Sequence, residues 1–139
     1  MSAFNFLSND VTRNQVSQSY YTVTGDISEA NLGNDHNVAV DGLTIGIPLI
    51  TSGNLGCTIF FRNTGGDANN IVSISPKNTN KIIGGMTQAA AVFHASGVLG
   101  KDLQNTKATS KTGDWVAIRA VSLTEWYIIG GQGIWASES

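Results

Sequence analysis

The sequence predicts an all-β protein: an antiparallel β-sandwich of jelly-roll type, with at most one short helix and an N-terminal arm. Three observations lead there. Apolar residues alternate with polar ones over short runs, the pattern of strands that send successive side chains to opposite faces. Gly occurs 16 times and Pro twice, with Asn, Ser and Thr nearly as frequent as Gly, a vocabulary of pleated surfaces and tight turns. Charged residues make up 13 % of the 139 residues, about half of the roughly 25 % of an average soluble domain, while 41 % are hydrophobic. That balance is too apolar for intrinsic disorder.

The elements follow in order. Residues 1–19 carry Phe4, Phe6, Leu7, Val11 and Val16 among polar residues with neither helical nor strand period, and read as an arm. It is either a loosely ordered terminus or first edge strand, or an apolar plug of Phe4, Phe6 and Leu7 that docks on a neighbouring subunit. Residues 20–139 form the sandwich domain. Leu43, Ile45, Ile47 and Leu49 share one face of a strand, and Cys57, Ile59 and Phe61 share a face of the next. The two runs read as neighbouring strands. A strand over 71–75 ends at Pro76, which has no ladder donor. The alanine-rich stretch Met86 to Ala95 reads as a short helix behind a Thr87 cap, or as an irregular excursion. Val116, Ile118 and Ala120 alternate with Trp115, Ala117 and Arg119, and a strand over 125–129 runs up to Gly130 and Gly131. Ile134 and Trp135 add a last short strand. Strands at this spacing with turn residues between them argue for a sandwich rather than alternating α/β units.

Charge and composition narrow the function classes. Eight basic and ten acidic residues leave a net charge of −2 with no basic run, so no nucleic-acid partner is expected. The longest apolar run is broken by Thr44, Gly46 and Pro48, well short of the roughly 20 residues that span a bilayer, and no membrane contact is expected. The start lacks a positive segment followed by an apolar one, so the expectation is synthesis and retention in the cytosol. A single cysteine, Cys57, makes no internal disulfide and reads as a small core hydrophobe.

No catalytic residues, cofactor or metal are expected. His36, in an Asn34-Asp-His-Asn turn, reads as a solvated loop residue, and His94 as a partly buried one. Asp35, Asn37 and Asp41 partly imitate a calcium loop, but Ala39 interrupts it and no bidentate Glu follows. Gly130-Gly-Gln-Gly lacks the strand-to-helix context of a phosphate cradle and reads as a turn. Trp115, Trp126, Trp135 and the Tyr20-Tyr21 pair are either core or subunit-interface anchors, or a sugar-stacking surface.

Gly113-Asp-Trp-Val-Ala-Ile followed by Glu125-Trp-Tyr-Ile-Ile-Gly-Gly-Gln-Gly-Ile-Trp resembles a closing pattern of tailed-bacteriophage virion proteins. Gly56-Cys-Thr-Ile-Phe-Phe-Arg-Asn-Thr-Gly, Ile71-Val-Ser-Ile-Ser-Pro and Lys81-Ile-Ile-Gly-Gly are similar to the strands that precede it, and the likeness covers roughly residues 40–135. The resemblance is to the small β modules that serve as capsid decoration (cement) proteins and as fibre heads. It implies a non-enzymatic trimer on the capsid surface of a virion, bound to the major capsid protein and stabilising the shell, after synthesis in the host cytoplasm. Phe4, Phe6, Leu7, Trp126 and Trp135 are the candidate partner contacts. The alternative it implies is a receptor-binding fibre head that holds a glycan.

Overall fold

Six strands in the first half of the chain are dealt alternately to two sheets. The computed structural model describes residues 15–89 and 91–138. In one layer, β1 (Gln18–Tyr21), β3 (Asp35–Val38) and β5 (Thr58–Asn63) lie side by side and parallel. In the other, β2 (Gly25–Asp26), β4 (Leu43–Gly46) and β6 (Val72–Ser75) do the same. Each odd strand with the even strand after it makes one turn of a flattened coil, and three turns stack. Gln18 sits opposite Asp35 and Asp35 opposite Phe60, so the turns differ in length and leave no repeat in the sequence.

The second half closes the stack with antiparallel pairs. β11 (Trp115–Ser122) runs antiparallel to β5, β12 (Glu125–Gln132) forms a hairpin with β11, and β7 (Lys81–Ile83) lies parallel along β12. In the facing sheet, β10 (Leu103–Asn105) pairs with β6, and β13 (Trp135–Ser137) pairs with β10. A separate hairpin, β8 (Gly85–Gln88) with β9 (Ala91–His94), packs its first strand against β12. The sheets thus contain six and five strands, in the orders β1-β3-β5-β11-β12-β7 and β13-β10-β6-β4-β2.

The all-β class is as the sequence predicts, and three details differ. The sheets are mixed, with parallel pairing throughout the first three turns, rather than antiparallel. The runs around Ile45 and Ile59 are not neighbours: β4 and β5 lie in different sheets, because residues 47–57 form a connection long enough to cross layers, whereas a hairpin closes in two to five residues. The Met86 to Ala95 stretch is the β8–β9 hairpin, with no α-helix among the described residues. Burial decides this against alanine's helix propensity. Met86 inserts its side chain where a Cβ on Gly131 would stand, 2.7 Å away, and Gly85 lets the Phe93 carbonyl approach to 2.1 Å of its own missing Cβ. Gln18 and Ser19 already pair with Asp35 and His36, so the sandwich begins inside the stretch read as an arm, while Phe4, Phe6 and Leu7 lie outside the described residues.

The core fills the space between the layers. Ile59, Phe61, Val116, Ile118, Trp126 and Ile128 face inward from the six-stranded sheet, and Ile45, Val72, Ile74, Leu103 and Trp135 from the other. Burying each large side chain stabilises the fold by about 1.5–3 kcal/mol. Two asparagine clusters tie the layers together at opposite ends. At one end Asn63 of β5 donates to the Asn105 side-chain oxygen of β10 at 2.6 Å, the Asn105 side chain donates to the Asp114 carboxylate at 3.0 Å, and the Asn70 side chain donates to the Asn63 side-chain oxygen at 2.7 Å. At the other, the Asn80 side chain accepts from the Ile50 amide at 3.0 Å and donates to the Leu123 carbonyl at 3.1 Å, and its backbone carbonyl accepts from Gly100 at 2.9 Å. Each amide is buried, so its hydrogen bonds hold loop backbone that would otherwise be desolvated without a partner.

Candidate interaction surface

The solvent face of the six-stranded sheet is built by the residues that alternate with the core. Ile59 and Phe61 of β5 point inward, which turns Thr58, Phe60 and Arg62 outward; the same alternation turns Trp115 and Arg119 of β11 outward. The register places Phe60 opposite Ala117, Arg62 opposite Trp115, and Arg119 opposite Tyr127. Phe60 and the Trp115 indole meet diagonally and stack, centroids 5.2 Å apart with planes 18° from parallel. Gly130 makes this placement feasible, since a Cβ there would stand 3.2 Å from the edge of the indole. Such a pair contributes about 0.5–1.5 kcal/mol beyond its buried area.

Polar side chains hold an arginine against this stack. The Arg62 guanidinium lies 4.8 Å from the Phe60 centroid, donates to the Asn37 side-chain oxygen at 3.2 Å, and sits 3.7 Å from the Asp35 carboxylate. Asn37 donates to Gln18 at 2.9 Å, and Gln18 donates to Asp35 at 3.1 Å, closing a ring of contacts across β1, β3 and β5. Tyr20, 75 % exposed, flanks this ring on β1; Tyr127 and Ile129 stand exposed on β12. Ile129 follows the alternation of β12 outward and is left unpaired on β11 by a bulge, because Ala117 pairs with Gly130 while Ile118 pairs with Ile128. The face combines immobilised aromatics, an oriented arginine and few net charges. Protein interfaces are enriched in those residue types at their centres.

Trp126 and Trp135 are not on this face. Both are core residues, at 0 % and 1 % exposure, and this corrects their reading as contacts or as a sugar platform. Trp135 donates its indole N–H to the Gln132 carbonyl at 3.0 Å, and the Trp126 indole N–H has no hydrogen-bond partner among the described residues. The signal was in the alternation: Trp126 shares a phase with Ile128, whereas Trp115 is out of phase with Val116 and Ile118. Trp115 is the tryptophan that phase sends outward.

His36 is the second correction. It lies in β3 with no exposure, between Tyr21 and Phe61, ring centroids 5.7 and 5.5 Å away, because its neighbours on both sides in the sheet cover it. The Tyr21 hydroxyl stands 2.6 Å from Nδ1. Burial pushes the imidazole pKa down, partly opposed by the Leu32 backbone and the Asp35 carboxylate, and burial pushes the Tyr21 phenol up. Two neutral groups share one proton in this contact, and among the described residues the His36 Nε2 makes no hydrogen bond of normal geometry. His94 is exposed on β9, remote in the pairing from His36. Cys57 is half-buried beside the core, its thiol pushed up by burial and then by the Glu29 carboxylate, as a packed rather than reactive cysteine requires.

The oxygen donors Asp35, Asn37 and Asp41 are engaged separately. Asp35 and Asn37 serve the Arg62 ring, while Asp41 accepts from the Ile71 amide at 2.9 Å and pairs with Lys107, contacts that lower its pKa in that order. Among the described residues no three His, Cys, Asp or Glu side chains gather as a metal site, and no helix is long and apolar enough to cross a membrane. On the opposite sheet a shallow polar recess is lined by Thr24, Asp26, Thr44, Ser75 and Lys77, and the Lys77 ammonium is 3.0 Å from Asp26. No protein-family model matches the chain, and no curated protein matches it.

Proposed function

We propose that the chain is a non-enzymatic structural protein of a virion, a capsid decoration protein that binds the major capsid protein on the outer shell as a trimer and stabilises it. One observation carries the reading: the solvent face of the six-stranded sheet presents a stacked Phe60–Trp115 pair with Arg62 held over it, beside the exposed Tyr20 and Tyr127. Rigid aromatics and a preorganised arginine lose little conformational freedom on docking, so they suit contacts that must hold a shell together. Many copies on one particle multiply modest contacts. The closing pattern around Trp115 and Trp126 resembles that of tailed-phage virion proteins and supports the same reading.

The test is copurification with virus particles in fixed proportion to the major shell subunit, together with light scattering of the purified protein. A trimer that sediments with particles supports the proposal; a monodisperse monomer that binds no capsid overturns it. A glycan-binding fibre head is the second reading, favoured by one feature: Phe60 and Trp115 form a platform flanked by the Asn37, Asp35 and Arg62 polar groups that a sugar's hydroxyls need. Glycan-array binding lost on Trp115→Ala, with folding intact, would select it.

A further inference from the structure

Arginine and lysine are few in this chain, and the fold gives nearly all of them a carboxylate. Among the described residues Arg62 stands by Asp35, four lysines form ion pairs of 2.5–3.7 Å, and Lys101 has the Asp102 carboxylate nearby. Arg119 is the exception. It lies on β11, between β5 and β12, exposed on the outer face of the six-stranded sheet, where the register sets it opposite Thr58 and Tyr127. Its Nε–H donates to the Thr58 hydroxyl at 2.9 Å, and no described residue accepts from its Nη1 or Nη2 groups. A guanidinium can grip a carboxylate with paired N–H donors from its side or from its end; Thr58 occupies the side and leaves the end pair free. The side chain is oriented but not neutralised.

Docking changes the situation of this charge. In the free protein water solvates the end pair of N–H groups. A partner seated on the Phe60–Trp115 stack, which shares β5 and β11 with Thr58 and Arg119, covers Arg119 as well. A cation taken out of water with no counter-charge is strongly unfavourable, so the covering surface must supply one. Arg62 makes no such demand, since Asp35 already stands 3.7 Å from it. We propose that the partner of this face carries one Asp or Glu carboxylate beside an apolar side chain, and that the carboxylate seats on the end pair of Arg119 N–H groups. The apolar neighbour follows from the surroundings: Val121, Tyr127 and Ile129, on the same two strands, are 41–45 % exposed. A sugar acid would leave most of its hydroxyls unpartnered against those three side chains. The proposal rests on the reading of this face as a protein contact and names what the other side supplies.

The probes are the amides of N-acetyl-Phe-Glu and N-acetyl-Phe-Gln, which differ by one carboxylate. Each is titrated into isotope-labelled protein while the Arg119 Nε–H signal and the Thr58 and Tyr127 amide signals are followed. The expected result is a saturable shift with a Kd of about a millimolar for the glutamate peptide and at least about tenfold weaker binding of the glutamine peptide. The amide shifts disappear in Arg119→Gln, whose folding is checked by circular dichroism. Equal binding of the two peptides, or no saturable shift with either, overturns the proposal. Tighter binding of methyl glucuronide assigns the site to an acidic glycan and overturns it too. On particles Arg119→Gln is expected to weaken cosedimentation by at least about thirtyfold, with Arg119→Lys between it and the wild type. Particles that bind wild type and Arg119→Gln alike overturn this inference and leave the virion reading standing. Protein that takes the glutamate peptide at Arg119 but binds no particle does the reverse.

Discussion

The Tyr21 hydroxyl and the His36 Nδ1 stand 2.6 Å apart inside the first two turns of the coil, and both groups are held neutral by burial. This contact joins β1, an edge strand, to β3 beside it, in addition to their backbone ladder and the Asn34–Ser19 and Asn37–Gln18 hydrogen bonds.

The pH dependence follows. In the unfolded chain His36 binds a proton near its ordinary value of 6.5, and in the folded protein only at lower pH. Between those values the unfolded state holds more protons, so stability is full above pH 6.5 and declines as pH falls through the window below it. Asp102, raised above the ordinary carboxylate value of 3.8 by burial and then by Glu138, has the opposite slope at the acid end. Urea unfolding between about pH 5.5 and 7.5 isolates the histidine. The midpoint is expected to fall on acidification in the wild type and to stay level in His36→Gln.

The two kinds of tryptophan separate folding from binding. Trp126→Ala empties a site of 0 % exposure and is expected to lower stability by about 3–5 kcal/mol. Trp115→Ala removes a half-exposed stacking partner of Phe60 and is expected to cost about 1–2 kcal/mol. If the outer face is the contact, Trp115→Ala also weakens particle binding by about 2 kcal/mol, roughly thirtyfold. Denaturant melts and cosedimentation read the two effects on the same samples.

Asn105 is the hinge of the buried polar cluster. Asn105→Ala removes one partner each from the Asn63 amide, which keeps the Asn70 carbonyl, and from the Asp114 carboxylate, which keeps the Lys111 amide, and takes the side-chain donor from the Ile134 carbonyl. The expected loss is about 2–3 kcal/mol, because three hydrogen bonds are lost in a buried site and one of them is to a charged group. A drop of less than about 1 kcal/mol in urea unfolding would show that water replaces the lost amide.

Gly133 tests a backbone requirement. Its φ of +106° is hard for an L side chain, and a Cβ there would lie 2.3 Å from the Asp114 carboxyl carbon. Gly133→Ala is expected to destabilise by about 2 kcal/mol or more, through strain and through displacement of Asp114 from Asn105. Thermal unfolding beside Gly66→Ala, whose Cβ would meet open space, provides the comparison.

The sequence by itself determined what neighbouring residues decide. Alternation at Ile59 and Phe61, at Val116 and Ile118, and at Val72 and Ile74 marked strands and their inward faces, since the period of a strand is local. Pro76 marked an end, because it has no ladder donor. Phase also carried a signal that the choice of Trp126 and Trp135 as contacts passed over: Trp115 is out of step with the buried Val116, and Trp126 is in step with the buried Ile128. Only the tertiary structure decided which strands pair. Parallel β3 and β5 meet across the whole of β4 and its loops, and nothing in either run encodes the other. The same distance hid His36, whose turn-like neighbours suggested solvent while Tyr21 and Phe61, from separate turns of the coil, closed over it. The loops that hold Ile50, Gly100 and Leu123 are far apart in the chain, and only the fold brings them to one buried residue, Asn80, whose hydrogen bonds hold all three.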